Sequence, residues 1–371
     1  MVEGRADAPF ASVRAAFEKN FDDGLELGAG FVVCIDGEIV IKLCGGFEDK
    51  ACKTPWRDDT IACVYSSGKA VLTLLVARAA SDGALSYDAP AADYWPEFGA
   101  QGKERITVGE LLSHQGGLCG IPDAMAPEDW IDWRVITKRL ETMAPLWPPG
   151  SANGYHPQTF GFLAGELLRR TVGRSPGEII RADFAEKFEL PIFCGMTPEE
   201  TTRAAYMRKP PRPPDLGEIN RYTELAFLKP WSAPARVSRE AWAAAEIPAS
   251  NMHASARALA EVVQPLANGG MFRGEKILAA AAIDAALGER IRGDDLVLPF
   301  HLAWTPGLMK NINGHFGPST HAYGHAGFGG SCVVIDPENR LTAAYVMNKM
   351  SPHLAGDPRA VRLLDAVYDC L

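Results

Sequence analysis

The two ends of this 371-residue chain carry the same pattern in opposite order, and that mirror limits the folds open to it. Val13 to Leu25 has amphipathic helical spacing, and Gly30 to Leu43 then reads as two apolar strands around Asp36-Gly37, a dipeptide preferred in tight hairpin turns. Towards the other end, Ser331 to Ile335, the turn Asp336-Pro337-Glu338-Asn339 and Leu341 to Asn348 predict a second hairpin, followed by a periodic helical segment from Arg359 to Leu371. Two apolar hairpins so far apart in sequence are buried most simply by pairing in one antiparallel sheet covered by the terminal helices. Between them the pattern is mostly helical: Val71 to Ala80, a Thr107-x-x-Glu110 capping box before Leu111-Leu112, Phe160 to Arg170, and Ala254 to Ala267. Leu296 to Trp304 predicts one more strand returning to the sheet. The expected fold class is α+β, with a discontinuous sheet domain from residues 1–65 and 288–371, a mostly helical domain from residues 66–287, and a cleft between them. Lys209-Pro210-Pro211-Arg212-Pro213-Pro214 cannot continue a helix and reads as an exposed loop, with a lid or pocket wall as its functional alternative.

Charge and composition narrow the partners. Acidic residues outnumber basic ones by 46 to 37, and the formal charge of -9 repels a phosphate backbone, so no nucleic-acid partner is expected. No apolar run reaches the roughly 18 to 20 residues that span a bilayer, and Met1-Val2-Glu3-Gly4-Arg5-Ala6-Asp7 lacks the basic and apolar regions of a signal peptide. No membrane association and a cytoplasmic location are the expectations. Eight cysteines form no C-x-x-C pair, and Cys34, Cys44, Cys63 and Cys332 sit in apolar stretches where reduced thiols act as small core residues.

The chemistry concentrates at Ser66-Ser67-Gly68-Lys69, which opens a helix that is apolar on nearly every face. A spacing of three places Ser66 and Lys69 on one face of the first helical turn, within reach of each other or of a shared partner. Burial and the positive helix terminus both disfavour protonated lysine, which makes Lys69 a candidate proton acceptor. The bland alternative is a capping serine beside a solvated lysine. Tyr155-His156-Pro157 then precedes an amphipathic Phe160, Leu163, Ala164, Leu167 stripe, and His325-Ala326-Gly327 leads into Phe328-Gly329-Gly330-Ser331. G-x-S-x-G is absent at Ser66, Ser67, Ser113 and Ser331, which disfavours an α/β-hydrolase.

In order and spacing these elements resemble the S-x-x-K, Y-x-N and K-T-G or H-x-G motifs of the serine β-lactamase and penicillin-binding-protein superfamily. Within it the chain is most similar to the class C β-lactamase-like carboxylesterases, or family VIII esterases. The stretch Thr107 to Leu118 and Asn348 fit the same likeness, while Pro157 departs from it. The resemblance implies Ser66 as nucleophile, Tyr155 as general base and Lys69 as the cation tuning both. It also implies an oxyanion hole from the backbone N–H groups of Ser66 and Phe328, and substrate contacts from His325, Gly327, Phe328 and His156. His156 either tunes the base or fills the cleft wall. One ammonium about 4 Å away contributes about 4 kcal/mol at an effective dielectric of 20, enough to bring the Tyr155 phenol from about 10 to about 7. Zinc held by His321 and His325 at i, i+4 requires a helix that Gly324 and Gly327 oppose, and His114 reads as a structural histidine. No metal and no cofactor are expected.

Among the superfamily's reactions the residues favour ester hydrolysis. His325 stands where a lysine commonly helps hold a substrate carboxylate, and Pro157 removes an amide that would bind a β-lactam side chain, although Lys349 is a spare cation. The expected substrate is a small or short-chain acyl ester. The alternatives are a β-lactamase, a D-aminopeptidase or carboxypeptidase, an acyltransferase, and a non-catalytic binding protein that kept the cleft.

Overall fold

The two terminal hairpins meet along their inner strands. In the computed structural model, which describes residues 2–229 and 236–371, β1 (Val2–Ala6), β2 (Gly28–Ile35) and β3 (Glu38–Gly46) come from one end of the chain. β4 (Ile291–Asp294), β5 (His301–Trp304), β6 (Met309–Lys310), β7 (Tyr323–Ala326), β8 (Cys332–Asp336) and β9 (Leu341–Met347) come from the other. They form one sheet in the order β1-β3-β2-β9-β8-β7-β6-β5-β4, with every pairing antiparallel. The ends join at β2 and β9, in a register running from Leu341 opposite Ile35 to Met347 opposite Ala29. Asp36 and Gly37 both have positive φ, which gives the β2–β3 turn the twist a two-residue hairpin favours.

Period-two alternation sends each strand's side chains to two buried faces. Phe31, Val33 and Tyr345 pack beneath α1 (Ala11–Asp22) and the C-terminal helix Pro358–Tyr368, whose Phe17, Leu363, Leu364 and Val367 are buried there. Val32, Ala344 and Val346 face the opposite core, which includes Ala256–Val262 and α2 (Lys69–Ser81). In α2 only Arg78, Ala80 and Ser81 escape full burial, so the helix is enclosed on nearly every side. Each fully buried leucine there stabilises the fold by about 1.5–3 kcal/mol.

Several expected elements shift. The strand expected over Leu296 to Trp304 is shorter, because Pro299 and the turn at Asp295 hold residues 295–300 off the ladder, and Ile291–Asp294 pairs with His301–Trp304 instead. The helix expected over Ala254 to Ala267 divides into Ala256–Val262 and Gln264–Ala267, since Pro265 supplies no N–H. The Thr107–Glu110 capping box forms with both reciprocal bonds. β1, which periodicity does not single out, is an edge strand with an exposed Glu3-Gly4-Arg5 centre. All eight cysteines are free thiols, and Cys34, Cys44, Cys63 and Cys332 are buried. Among the described residues no helix is long and apolar enough to cross a membrane.

Candidate active site

The turn that carries Ser66, the nucleophile turn of the sequence reading, is held by contacts from Val64 to Gly68. Val64 N–H donates to Met252 O, anchoring the short strand Ala62–Cys63 beside His253–Ala254. Tyr65 then adopts φ 47°, a conformation costly for a bulky side chain, and turns the chain into a 3-10 turn that runs on as α2. Ser67 Oγ lies 3.3 Å from His325 O and 3.1 Å from Ser331 Oγ, tying the turn to β7 and to the segment after it. A Cβ on Gly68 would meet Met252 Cβ at 3.0 Å, so a larger residue would force these segments apart by a few tenths of an ångström.

The structure brings Ser66, Lys69 and Tyr155 together. Lys69 Nζ is 2.9 Å from Ser66 Oγ and 2.9 Å from the Tyr155 phenol, and the two hydroxyl oxygens are 2.7 Å apart. Lys69 Nζ also donates to Pro157 O at 2.7 Å and to Ala249 O at 3.2 Å. A carbonyl can only accept, so two N–H bonds are committed there in either protonation state. The remaining position on the nitrogen faces the two hydroxyls, as a lone pair in the amine and as a third N–H in the ammonium.

Burial decides between those states. Lys69 is fully enclosed, which pushes its amine well below the ordinary lysine value. Burial pushes the Tyr155 phenol up, opposed by its hydrogen bond to Ser66 and reinforced by the negative charge of Asp295. This corrects the expectation that an ammonium at Lys69 holds Tyr155 near 7. Desolvation disfavours both charged forms, the ammonium of Lys69 and the phenolate of Tyr155 alike.

Above these groups opens a cavity of about 370 Å³ whose lining includes Ser66, Tyr155, His325 and Phe328. Its walls are apolar, with Leu216, Phe227, Trp242 and Leu354 among them, and Pro213 and Pro214 contribute too. The proline-rich segment is therefore a pocket wall. Among the described residues no lysine or arginine lines the cavity. Lys349 turns away and donates to Gly24 O.

The histidines separate into distinct environments. His156 is fully buried, its Nδ1 bonded to Gly154 O at 2.6 Å and its Nε2 accepting Leu118 N–H at 2.9 Å. Both nitrogens are used by the backbone and the ring is absent from the cavity lining, so the expected substrate contact is corrected: His156 is structural and, through burial, neutral with a value near 3. His114 is likewise buried, accepting His156 N–H on Nδ1. His325 lines the cavity. Its Nδ1 bonds Ala326 O at 2.9 Å, which leaves Nε2 a bare acceptor with no partner among the described residues. Burial and the nearby Lys69 keep that ring well below the usual histidine value. His321 instead lies at the surface against Glu338, so the two residues at i, i+4 diverge.

Gly327 is needed for a different reason than substrate approach. A Cβ there would fall inside contact distance of Val64 O and Ser331 Oγ, so its lack of a side chain seats the β7–β8 loop against the nucleophile turn. Phe328 follows at the cavity mouth, its ring edge-on to Tyr65 with centroids 5.6 Å apart. Gly329 and Gly330 have φ of 96° and 116°, a region closed to other residues, and turn the chain back into β8. Asn348 closes the sheet end, accepting Gly28 N–H and donating to Phe47 O and Glu48 O.

Residue-type reasoning misses three contributors. Pro157 and Ala249 act through backbone carbonyls, which leave no side-chain signal. Asp295 accepts hydrogen bonds from the tyrosine loop, and only its place beside a strand end hints at that.

A lysine, a phenol and a serine hydroxyl thus meet at the start of α2, beside the strand that leads into His325-Ala326-Gly327, on a β-lactamase-like fold. The beta-lactamase family model matches residues 16–368, and the chain belongs to that family. It is similar over the whole of both chains to a penicillin-binding-protein homologue from Caulobacter crescentus, with a TM-score of 0.97 and 46% identity. A family VIII carboxylesterase is also similar over the whole of both chains, with a TM-score of 0.92 and 37% identity. The esterase/beta-lactamase LipL of Mycobacterium tuberculosis is 31% identical over 370 residues, covering 94% of this chain and 83% of that one.

Proposed function

We propose that this protein is a serine carboxylesterase for small, uncharged acyl esters, working through an acyl-Ser66 intermediate. The observation that carries the reading is the closed triangle of Ser66, Tyr155 and Lys69 at 2.7–2.9 Å, set in an apolar cavity lined by no lysine or arginine among the described residues. A substrate carboxylate, as a β-lactam carries, would find no counter-charge there and would lose its hydration on entry. A neutral ester loses little. The esterase and carboxylesterase names of its relatives support the same reaction.

In acylation, Ser66 Oγ attacks the ester carbonyl while its proton passes to the Tyr155 oxygen and the phenol's own proton passes to the Lys69 lone pair. The relay suits an amine whose charged form burial disfavours, because the amine is the stronger base and the phenol is bonded to both it and the serine. The N–H groups of Ser66 and Phe328 stabilise the oxyanion, each contributing about 3–4 kcal/mol in the transition state by analogy with other oxyanion holes. Collapse returns the proton through Tyr155 to the departing alkoxide, which leaves as alcohol. Water then repeats the sequence on the acyl-enzyme, with His325 Nε2 as a spare acceptor for water or for a substrate donor.

Hydrolysis of p-nitrophenyl acetate and butyrate by the wild type and by Ser66→Ala tests the reading. Turnover by the wild type alone supports it. An equal, negligible rate in both proteins overturns it and favours a binding protein that kept the cleft.

A further inference from the structure

Tyr155 sits in a loop, between Asn153 and the helix Thr159–Val172, yet its oxygen must stay within hydrogen-bond reach of two other groups. A loop alone does not fix a phenol to that tolerance. The carboxylate of Asp295, directly after β4, gathers that loop, its own turn and β5 together. Its Oδ1 accepts the N–H groups of Tyr155, Val297 and Leu298, each at 2.9 Å. Its Oδ2 accepts Asn153 Nδ2 at 2.9 Å and the indole N–H of Trp304 at 3.2 Å. Trp304 in turn stacks on the Tyr155 ring, with centroids 5.6 Å apart and planes 5° from parallel. The same carboxylate thus grips the tyrosine's backbone and the ring that flanks its side chain.

We infer that Asp295 is a positioning residue for the reaction, holding the Tyr155 phenol in reach of Ser66 and Lys69 through the backbone N–H and through the stacked indole. The inference rests on Tyr155 relaying the Ser66 proton. Neither Asp295 nor Trp304 is among the residues lining the cavity, so neither touches substrate. The charge has a second effect. The ionisable groups around Tyr155 are Lys69, His114, His156, His325 and Asp295; burial disfavours the charged form of the first four, while the negative charge of Asp295 opposes phenolate formation.

Asp295→Asn separates positioning from bulk stability. The amide keeps one acceptor for the three backbone N–H groups but presents a donor to Asn153 and Trp304, which are donors themselves. The expected result is a fall in kcat of about 10- to 100-fold with KM changed less than about twofold, the signature of a misplaced group that does not bind substrate. Removing the negative charge also makes the ammonium form of the neighbouring Lys69 less favourable, so the acid limb of kcat/KM, which that amine sets, moves to lower pH, by about 0.5 to 1 unit. Restoring a carboxylate opposite the new amide with Asn153→Asp in the same chain returns the limb towards its original position. Unchanged kcat and an unmoved limb in a folded Asp295→Asn protein, beside an inactive Tyr155→Phe protein, overturn the inference alone. Near-normal turnover in Tyr155→Phe overturns the relay and the inference with it. Should Asp295→Asn fail to fold, Trp304→Phe carries the test: it keeps a stacked ring, loses the Oδ2 bond, and is expected to lower kcat several-fold at constant KM, whereas wild-type kcat there overturns the inference.

Discussion

The carbonyl of Pro157 lies 2.7 Å from Lys69 Nζ, so the residue that breaks the expected Y-x-N motif still contacts the site's buried amine. Proline has neither a side-chain amide nor an N–H, but its carbonyl is as strong an acceptor as any other. Together with Ala249 O it absorbs two amine protons and aims what remains at Ser66 and Tyr155. The motif's departure therefore changes what can be bound without loosening the lysine.

Tyr155→Phe removes the oxygen bonded to both Ser66 and Lys69 while keeping the ring stacked on Trp304. A kcat reduction of at least about 100-fold is expected, with little change in melting temperature, because general-base contributions are of that order. Steady-state kinetics on a p-nitrophenyl ester check it, and a loss below tenfold would show that Lys69 takes the serine proton without an intermediary.

Lys69 makes a prediction that stability measurements can read. Its amine is held well below 10.5 in the fold, whereas the unfolded chain keeps that proton up to about 10.5. Between those values the unfolded state binds the extra proton, so this residue's contribution to stability rises with pH and declines as pH falls towards the depressed value. Lys69→Met deletes the linkage. Melting temperature against pH is expected to rise less steeply above pH 7 in the variant than in the wild type, and parallel curves would refute it. Activity has the same direction: as pH drops through the depressed value the amine gains a proton, loses its lone pair, and kcat/KM falls.

Much of the frame was legible because apolar alternation and mirrored hairpins are strong local signals, and α2, α1 and the inner strands lie where the pattern puts them. Ser66, Lys69 and Tyr155 were legible as residue types in order. What stayed hidden is carried by the backbone or by long-range geometry. Pro157 O and Ala249 O have no side-chain signature. Asp295 reads as one more acid after Asp294, although Asp294 is solvent-exposed and paired with His301 while its neighbour turns inward to five donors. The electrostatics of the tyrosine reversed because a pairwise charge estimate leaves out desolvation, which is the larger effect for groups this deeply enclosed.

Gly327→Ala tests whether the fit of the β7–β8 loop against the nucleophile turn governs catalysis. The new methyl falls inside contact distance of Val64 O, and its neighbours are backbone and a hydrogen-bonded serine that cannot rotate aside without breaking Ser331 Oγ to Val64 O at 2.9 Å. The loop must lift, carrying the Phe328 N–H away from the Ser66 N–H. A drop in kcat/KM of about 100-fold or more is expected, from loss of one oxyanion donor. Retained activity would place the oxyanion donors elsewhere.

A buried arginine lies beneath that loop. Arg359 is fully enclosed with Glu26 and Asp357, and its guanidinium also donates to Gly329 O at 3.0 Å and Lys349 O at 2.7 Å. Ser351 N–H meets the same Gly329 carbonyl at 2.8 Å, and Ser351 Oγ bonds Asp357. The C-terminal helix thus fixes the carbonyl one residue beyond Phe328. Removing one member of a buried ion cluster strands the others, at about 3–5 kcal/mol. Arg359→Met is therefore expected to lose that much stability in urea unfolding. Arg359→Lys restores charge but not the planar fork that reaches three carbonyls and two carboxylates, so it should recover part of the stability while leaving kcat reduced. Full recovery of kcat by lysine would mean that charge alone, and not the geometry of the fork, holds the loop in place.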